Sequence, residues 1–148
     1  MSFASDNSVG VCPQILDAMA RANDGFSDSY GEDGCTKALQ DRFSALFERR
    51  CYVFPVATGT AANALALAAI TPPWGRILCH EYSHIEEHEC GAPEFFTGGA
   101  RLHRLGGADG RLDVRTVQAL LGLGWQGNVH RAQPSALSFS NVTEMGTC

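Results

Sequence analysis

Residues 79–90, CHEYSHIEEHEC, hold the densest group of chemically reactive side chains in this sequence. His80, His84 and His88 are spaced by four residues, so one continuous helix would place all three on the same face. His84, Glu87 and His88 also fit the His-x-x-Glu-His pattern of some zinc peptidases. Such a zinc site needs a further ligand from elsewhere in the chain, for which Glu144 is a candidate.

Two other interpretations of this stretch stay open. A run of glutamates at helical spacing is typical of a solvated acidic helix that has no chemical role. The third interpretation is a histidine beside a ligand, because Ser83 and His84 follow a predicted strand and ligands gather at strand ends. We favour this last interpretation.

Residues 51–63, CYVFPVATGTAAN, predict a strand, a tight turn and the start of an alanine-rich helix. Thr58, Gly59 and Thr60 would then lie at the helix N-terminus. The unpaired N–H groups and the helix dipole favour an anion there, such as a phosphate group. From these residues alone an ordinary N-cap at Thr58 or Thr60 is the simpler interpretation, with Gly59 permitting the turn.

The remaining pattern alternates helices and strands. A helix is predicted from Pro13, and a Gly/Asp/Ser-rich loop over 24–36 precedes a helix over 37–48. Strands are predicted over 76–79, 102–105 and 135–139, with a helix over 113–123. This alternation indicates an α/β fold with a mainly parallel sheet and helices on both faces. Residues 58–60, 81–84 and 141–144 would all lie at the carboxyl ends of strands, where ligands bind.

Composition narrows the class of protein. From the length of 148 residues we expect one globular unit. The net charge of −5 without a basic run argues against nucleic acid or an anionic membrane as partner. No apolar run is long enough to span a membrane, so we expect a cytoplasmic protein. The six cysteines include no Cys-x-x-Cys pair, which argues against a zinc ribbon or a disulfide framework.

Several motifs occur together in a fixed order along nearly the whole chain. They are SDN (5–7), YGED (30–33), TGTAAN (58–63), SH (83–84), ExG (89–91) and NVTExG (141–146), together with TPPWG (71–75) and HECGAPEFF (88–96). This set resembles the threonine aldolase family, and its phenylserine aldolase branch in particular. The resemblance implies a fold-type I, aspartate aminotransferase-like enzyme that uses pyridoxal 5'-phosphate. Such an enzyme cleaves β-hydroxy-α-amino acids to glycine and an aldehyde, as a homo-oligomer (dimer or tetramer).

The resemblance also implies roles for individual residues. His84 matches a histidine that stacks on the cofactor ring, and its imidazole could take the proton of the substrate β-hydroxyl. The phosphate would bind at Thr58, Gly59 and Thr60. The substrate side of the site matches Ser5, Tyr30, Glu89 and Thr143, with Glu89 behind the site.

One departure from the family pattern concerns lysine. The family holds its cofactor on a Schiff-base lysine downstream of the phosphate site, whereas the only lysine here is Lys37, upstream of it. The family's aspartate and arginine at the pyridine ring are expected after Cys148. We therefore expect residues 1–148 to be the first part of the cofactor-binding large domain, inactive by itself. The alternative is a non-catalytic α/β domain that binds an anion or a partner chain.

Overall fold

The computed structural model describes residues 9–148, and Ser5 lies outside them. The chain divides into two compact units, Met1–Pro55 and Val56–Cys148. Each unit is described by itself.

Over residues 9–55, the first unit contains two helices, α1 (Pro13–Ala22) and α2 (Gly34–Leu46). Helix α1 begins at Pro13, as predicted. Helix α2 begins three residues before the predicted start at residue 37, so the predicted 24–36 loop is shorter. The reason is Asp33, whose carboxylate caps the helix by accepting hydrogen bonds from the Thr36 amide at 2.8 Å and the Thr36 hydroxyl at 2.6 Å. Both hydrogen bonds lower the pKa of Asp33, and the one from the Thr36 hydroxyl has the larger effect.

The predicted strand over residues 52–56 is wrong, because this segment is irregular. A β-strand needs a neighbouring strand for its peptide groups, and the side chain of Gln40 takes that place here. The Val53 amide donates to Gln40 Oε1 at 2.8 Å, and Gln40 Nε2 donates to the Val53 carbonyl at 2.9 Å. The segment therefore has the apolar residues of a strand, but a side chain holds its backbone in place of a neighbouring strand.

The second unit is an α/β layer structure around a three-stranded sheet. The strands β1 (Arg76–His80), β2 (Arg101–Leu105) and β3 (Pro134–Leu137) are all parallel, in the order β2-β1-β3. This confirms the predicted parallel sheet, although β3 is shorter than predicted. The helices are α3 (Gly59–Ile70), α4 (His84–Glu87), α5 (Ala92–Phe96) and α6 (Val114–Leu121), with a 3₁₀ turn at Ala108–Gly110.

Side chains of β1 alternate between two apolar clusters, one on each face of the sheet. Ile77 and Cys79 pack on one face with Leu67 of α3 and Ile85 of α4. Burial of Cys79 in this cluster raises the pKa of its thiol. On the opposite face, Leu78 of β1 and Leu105 of β2 pack with Leu120 of α6 in a second cluster. Helices on both faces of the sheet are therefore confirmed.

Among residues 9–148, no helix is both long and apolar enough to cross a membrane.

Replacing Gln40 tests how the irregular segment is held. We expect Gln40→Leu to lower the free energy of unfolding by about 1–3 kcal/mol, because two hydrogen bonds are lost. Amide hydrogen exchange should also become faster at Val53. The matched control is Gln14→Leu, at an exposed position of α1. Equal exchange at Val53 in the two variants would contradict the role given to Gln40.

Candidate functional site

A buried carboxylate lies at the centre of the candidate site. The side chain of Glu89 has 0% of its surface exposed, and its Oε1 accepts two hydrogen bonds. One comes from Asn63 Nδ2 at 2.6 Å and the other from His84 Nδ1 at 2.8 Å. Asn63 lies near the start of α3, His84 is the first residue of α4, and Glu89 lies in the turn before α5. One carboxylate oxygen thus joins three separate elements.

The contact with Glu89 determines how His84 presents its ring. An ionised carboxylate only accepts hydrogen bonds, so the proton of a neutral His84 ring lies on Nδ1 and Nε2 is left as an acceptor. The His84 side chain is 44% exposed, which leaves room for a ligand at the ring. The arrangement therefore favours a histidine with a fixed orientation and one nitrogen available to a substrate proton.

The start of α3 has the features of an anion site. Thr58 is the N-cap, and its Oγ1 accepts a hydrogen bond from the Ala61 amide at 3.1 Å. The N–H groups of Gly59 and Thr60 lie in the first turn and have no intrahelical acceptor. A Cβ built on Gly59 would meet no atom within 4 Å, so the space beside this backbone is open. The N-cap interpretation is confirmed, and the anion site stays a prediction for which this space is open.

The histidines do not share one helix. His80 ends β1 and is 3% exposed; its Nε2 donates to the Gly107 carbonyl at 3.2 Å, and its Nδ1 accepts from the Tyr82 amide at 3.0 Å. Helix α4 has four residues only, so the continuous helix that a three-histidine face requires is not formed. Among residues 9–148, no group of three His, Cys, Asp or Glu side chains is placed to hold a metal ion.

Besides Glu89, two more of the residues that the resemblance assigned to the substrate side can be located. Tyr30 lies in the first unit with a fully exposed side chain and a backbone φ of 59°, a conformation that is uncommon for a non-glycine residue. Thr143 follows β3, and its Oγ1 accepts from the amides of Met145 and Thr147 at 3.3 and 3.2 Å. The Thr143 hydroxyl is thus engaged in a local turn.

A cavity of about 390 Å³ lies beyond the carboxyl ends of β1 and β3. Tyr82, Ser83, Thr143 and Glu144 line it together with apolar side chains of α6. Ser83 Oγ is buried and has no hydrogen-bond partner among the described residues. The cavity brings residues 82–83 and 143–144 together at one sheet edge, as the sequence predicted for residues 81–84 and 141–144.

A family model for beta-eliminating lyases matches residues 2–148. The chain belongs to the beta-eliminating lyase family. This confirms the resemblance at the level of the family, whereas the phenylserine aldolase branch stays a prediction.

Among members of the beta-eliminating lyase family, threonine aldolases are similar to this chain. A low specificity L-threonine aldolase of Pseudomonas aeruginosa is 41% identical over 145 residues, covering 98% of this chain and 41% of that protein. The low specificity L-threonine aldolase of a Pseudomonas species is 39% identical, with the same coverage. The solved structure of Leishmania major threonine aldolase matches with a TM-score of 0.84 and 31% identity, over 96% of this chain and 41% of that chain. The chain thus spans about two fifths of the length of these relatives.

Sequence reasoning gave no role to Asn63 or to the hydroxyl of Ser83. Both residues stand in the motifs that carry the resemblance to threonine aldolases. Neither side chain titrates near neutral pH, and the motifs do not show which residues they contact. Asn63 and Glu89 are 26 residues apart, so only the fold brings them together. The sequence signal for a role of Asn63 was its position as a polar residue in the otherwise apolar helical stretch ANALALAAI.

Replacing Glu89 tests the orientation of His84. In imidazole ¹⁵N NMR spectra of the chain with a neutral His84 ring, we expect Nδ1 to be protonated and Nε2 to be unprotonated. Glu89→Ala should remove this preference, because no carboxylate then accepts from Nδ1. The matched control, Glu87→Ala, removes an exposed glutamate of α4 and should leave the spectrum of His84 unchanged. A His84 tautomer that survives Glu89→Ala would rule out the proposed orientation.

Proposed function

We propose that this chain is the first part of the large domain of a pyridoxal 5'-phosphate-dependent aldolase. The reaction is cleavage of β-hydroxy-α-amino acids of the threonine and phenylserine type to glycine and an aldehyde. The observation that carries the proposal is the pair of hydrogen bonds at Glu89, which tie His84 to the helix that begins at Gly59. Membership of the beta-eliminating lyase family and similarity to threonine aldolases support it.

In this proposal the start of α3 binds the cofactor phosphate. The N–H groups of Gly59 and Thr60 donate to its oxygens, and the helix dipole favours its negative charge. Glycine at position 59 leaves the backbone accessible, since an added Cβ would occupy the open space beside it. When bound, pyridoxal phosphate supplies an electron sink for the bond that breaks.

His84 has two roles in the proposal. Its ring would stack on the cofactor ring, and its Nε2 would accept the proton of the substrate β-hydroxyl. Glu89 acts through His84 and does not contact the substrate, because its side chain is fully buried. Ser5, Tyr30 and Thr143 stay predicted contacts on the substrate side.

Lys37 does not supply the lysine that the reaction requires. Its side chain is 60% exposed, and its Nζ forms an ion pair with Glu32 at 3.0 Å. Because it is the only lysine, we infer that residues 1–148 alone do not cleave the substrate. The proposal further places the complete enzyme in the cytoplasm as a homo-oligomer. The alternative function, a non-catalytic domain that binds an anion, is favoured by the same open helix N-terminus.

Gly59 gives the test of the phosphate site. Gly59→Val should weaken binding of pyridoxal phosphate to the chain by roughly tenfold or more, because the side chain blocks the approach to the backbone amides. Gly34→Val is the matched control, since Gly34 also begins a helix and an added Cβ there meets no atom within 4 Å. Equilibrium dialysis measures the affinity. Equal affinity in the two variants would refute the phosphate site.

A hybrid enzyme tests the role of His84. We expect cleavage of phenylserine when this chain replaces the matching residues of the Pseudomonas aeruginosa threonine aldolase, and none by the chain alone. His84→Phe keeps a ring for stacking and removes the proton acceptor, so the hybrid should lose about 10²–10⁴-fold in kcat.

Two controls complete the assay of the hybrid. His88→Phe changes an exposed neighbouring histidine of the same segment and should leave kcat within a few fold. Lys37→Ala should leave kcat unchanged. Parental activity in His84→Phe would exclude the proton-acceptor role, and activity of the chain alone that disappears in Lys37→Ala would overturn the inference about lysine.

A further inference from the structure

Three arginines of the second unit lie at the amino-terminal ends of the strands, which we call the amino-terminal edge of the sheet. Arg76 is the first residue of β1, Arg101 is the first residue of β2, and Arg131 lies shortly before β3. Within residues 9–148 none of the three forms an ion pair with a carboxylate. By contrast, the chain pairs other arginines of this unit with acidic side chains: Arg104 with Glu86, Arg111 with Asp109 and Arg115 with Asp113.

Trp125 holds two of these positive charges close together. The guanidinium carbons of Arg76 and Arg131 lie 4.7 and 4.9 Å from the centre of its ring. Arg76 Nη1 also lies 3.4 Å from Nδ1 of His103, in hydrogen-bonding distance. Burial, and then the charge of Arg76, lower the pKa of His103. Positive charge is therefore concentrated and uncompensated at this edge, in a chain whose net charge is −5.

A cleft of about 340 Å³ opens beside these arginines. Trp74, Arg101, His130 and Arg131 line it, together with backbone of Gly75 and Gly99, and none of its lining residues is acidic. Trp74 is 74% exposed, so the face of its indole is accessible to a ligand. The volume lies in the range of small-molecule sites.

We propose that this cleft binds a polyphosphate anion, such as pyrophosphate or the phosphate chain of a nucleotide. Guanidinium groups match phosphate oxygens in geometry and charge, and the two that line this cleft, Arg101 and Arg131, favour an anion with more than one phosphate group. A flat aromatic side chain beside them suits a base that stacks. The five residues of β1 separate this edge from the edge that leads to His84, so the cleft is distinct from the proposed aldolase site.

Tryptophan fluorescence gives a specific measurement, because Trp74 and Trp125 are the only tryptophans and both lie at this edge. We expect saturable changes in emission when the chain is titrated with pyrophosphate or adenosine triphosphate at constant ionic strength. Tighter binding of the nucleotide would show that the base contributes, and equal binding would show that the phosphate chain alone is recognised. The proposal would be overturned if sodium chloride, added to the same ionic strength, changed the emission as much as pyrophosphate does.

Arginine variants locate the site. Arg101→Gln and Arg131→Gln should each weaken pyrophosphate binding roughly tenfold, because hydrogen bonds to a charged group are lost. The matched control Arg115→Gln removes an exposed arginine of α6 that pairs with Asp113, and should leave the affinity unchanged.

Calorimetry and circular dichroism complete the test. The Arg131→Gln substitution removes the contact with Trp125 and therefore changes the tryptophan emission by itself. The pyrophosphate affinity of this variant is therefore measured by calorimetry. Circular dichroism monitors folding of every variant, and Arg101→Gln decides the question if Arg131→Gln does not fold, since Arg101 does not stack on Trp125. Full pyrophosphate affinity in Arg101→Gln would refute the site.

Discussion

The buried carboxylate of Glu89 is the interaction on which the organisation of the second unit's site depends. A buried carboxyl group is costly unless hydrogen bonds replace the lost water, and Asn63 and His84 both donate to its Oε1, while its Oε2 has no partner among the described residues. Because these donors come from α3 and α4, satisfying one carboxylate fixes the helix that carries Gly59 and Thr60 relative to the histidine. The proposed phosphate site and the proposed proton acceptor are thereby held in one arrangement.

The parallel sheet gives the two edges of this unit different chemistry. At the carboxyl edge, the chain leaves β1 towards His84 and leaves β3 towards Thr143, so polar side chains from separate segments reach one end. At the amino edge, Arg76 and Arg101 begin neighbouring strands in register. Parallel strands therefore concentrate cations at one edge for the same geometric reason that they concentrate functional groups at the other.

Much of this architecture was predictable from local pattern. Strands β1 and β2, helix α6 and the capped start of α3 follow from apolar runs and from Thr58 and Asp113, which need no distant partner. Features that depend on distant residues were not predictable: residues 52–56 look like a strand but are held by Gln40, and α4 ends after four residues. The family resemblance identified His84 and Glu89, whereas their link to Asn63 needed the fold.

A double-mutant cycle between Asn63→Ala and His84→Ala measures the central claim most directly, with the free energy of unfolding of the chain as readout. If both residues stabilise the Glu89 carboxylate, their effects must be non-additive, by about 0.5–3 kcal/mol. The coupling should vanish when the cycle is repeated in a Glu89→Ala background, because the shared acceptor is then absent. Additive effects in the parent chain, or a coupling that persists without Glu89, would contradict the account.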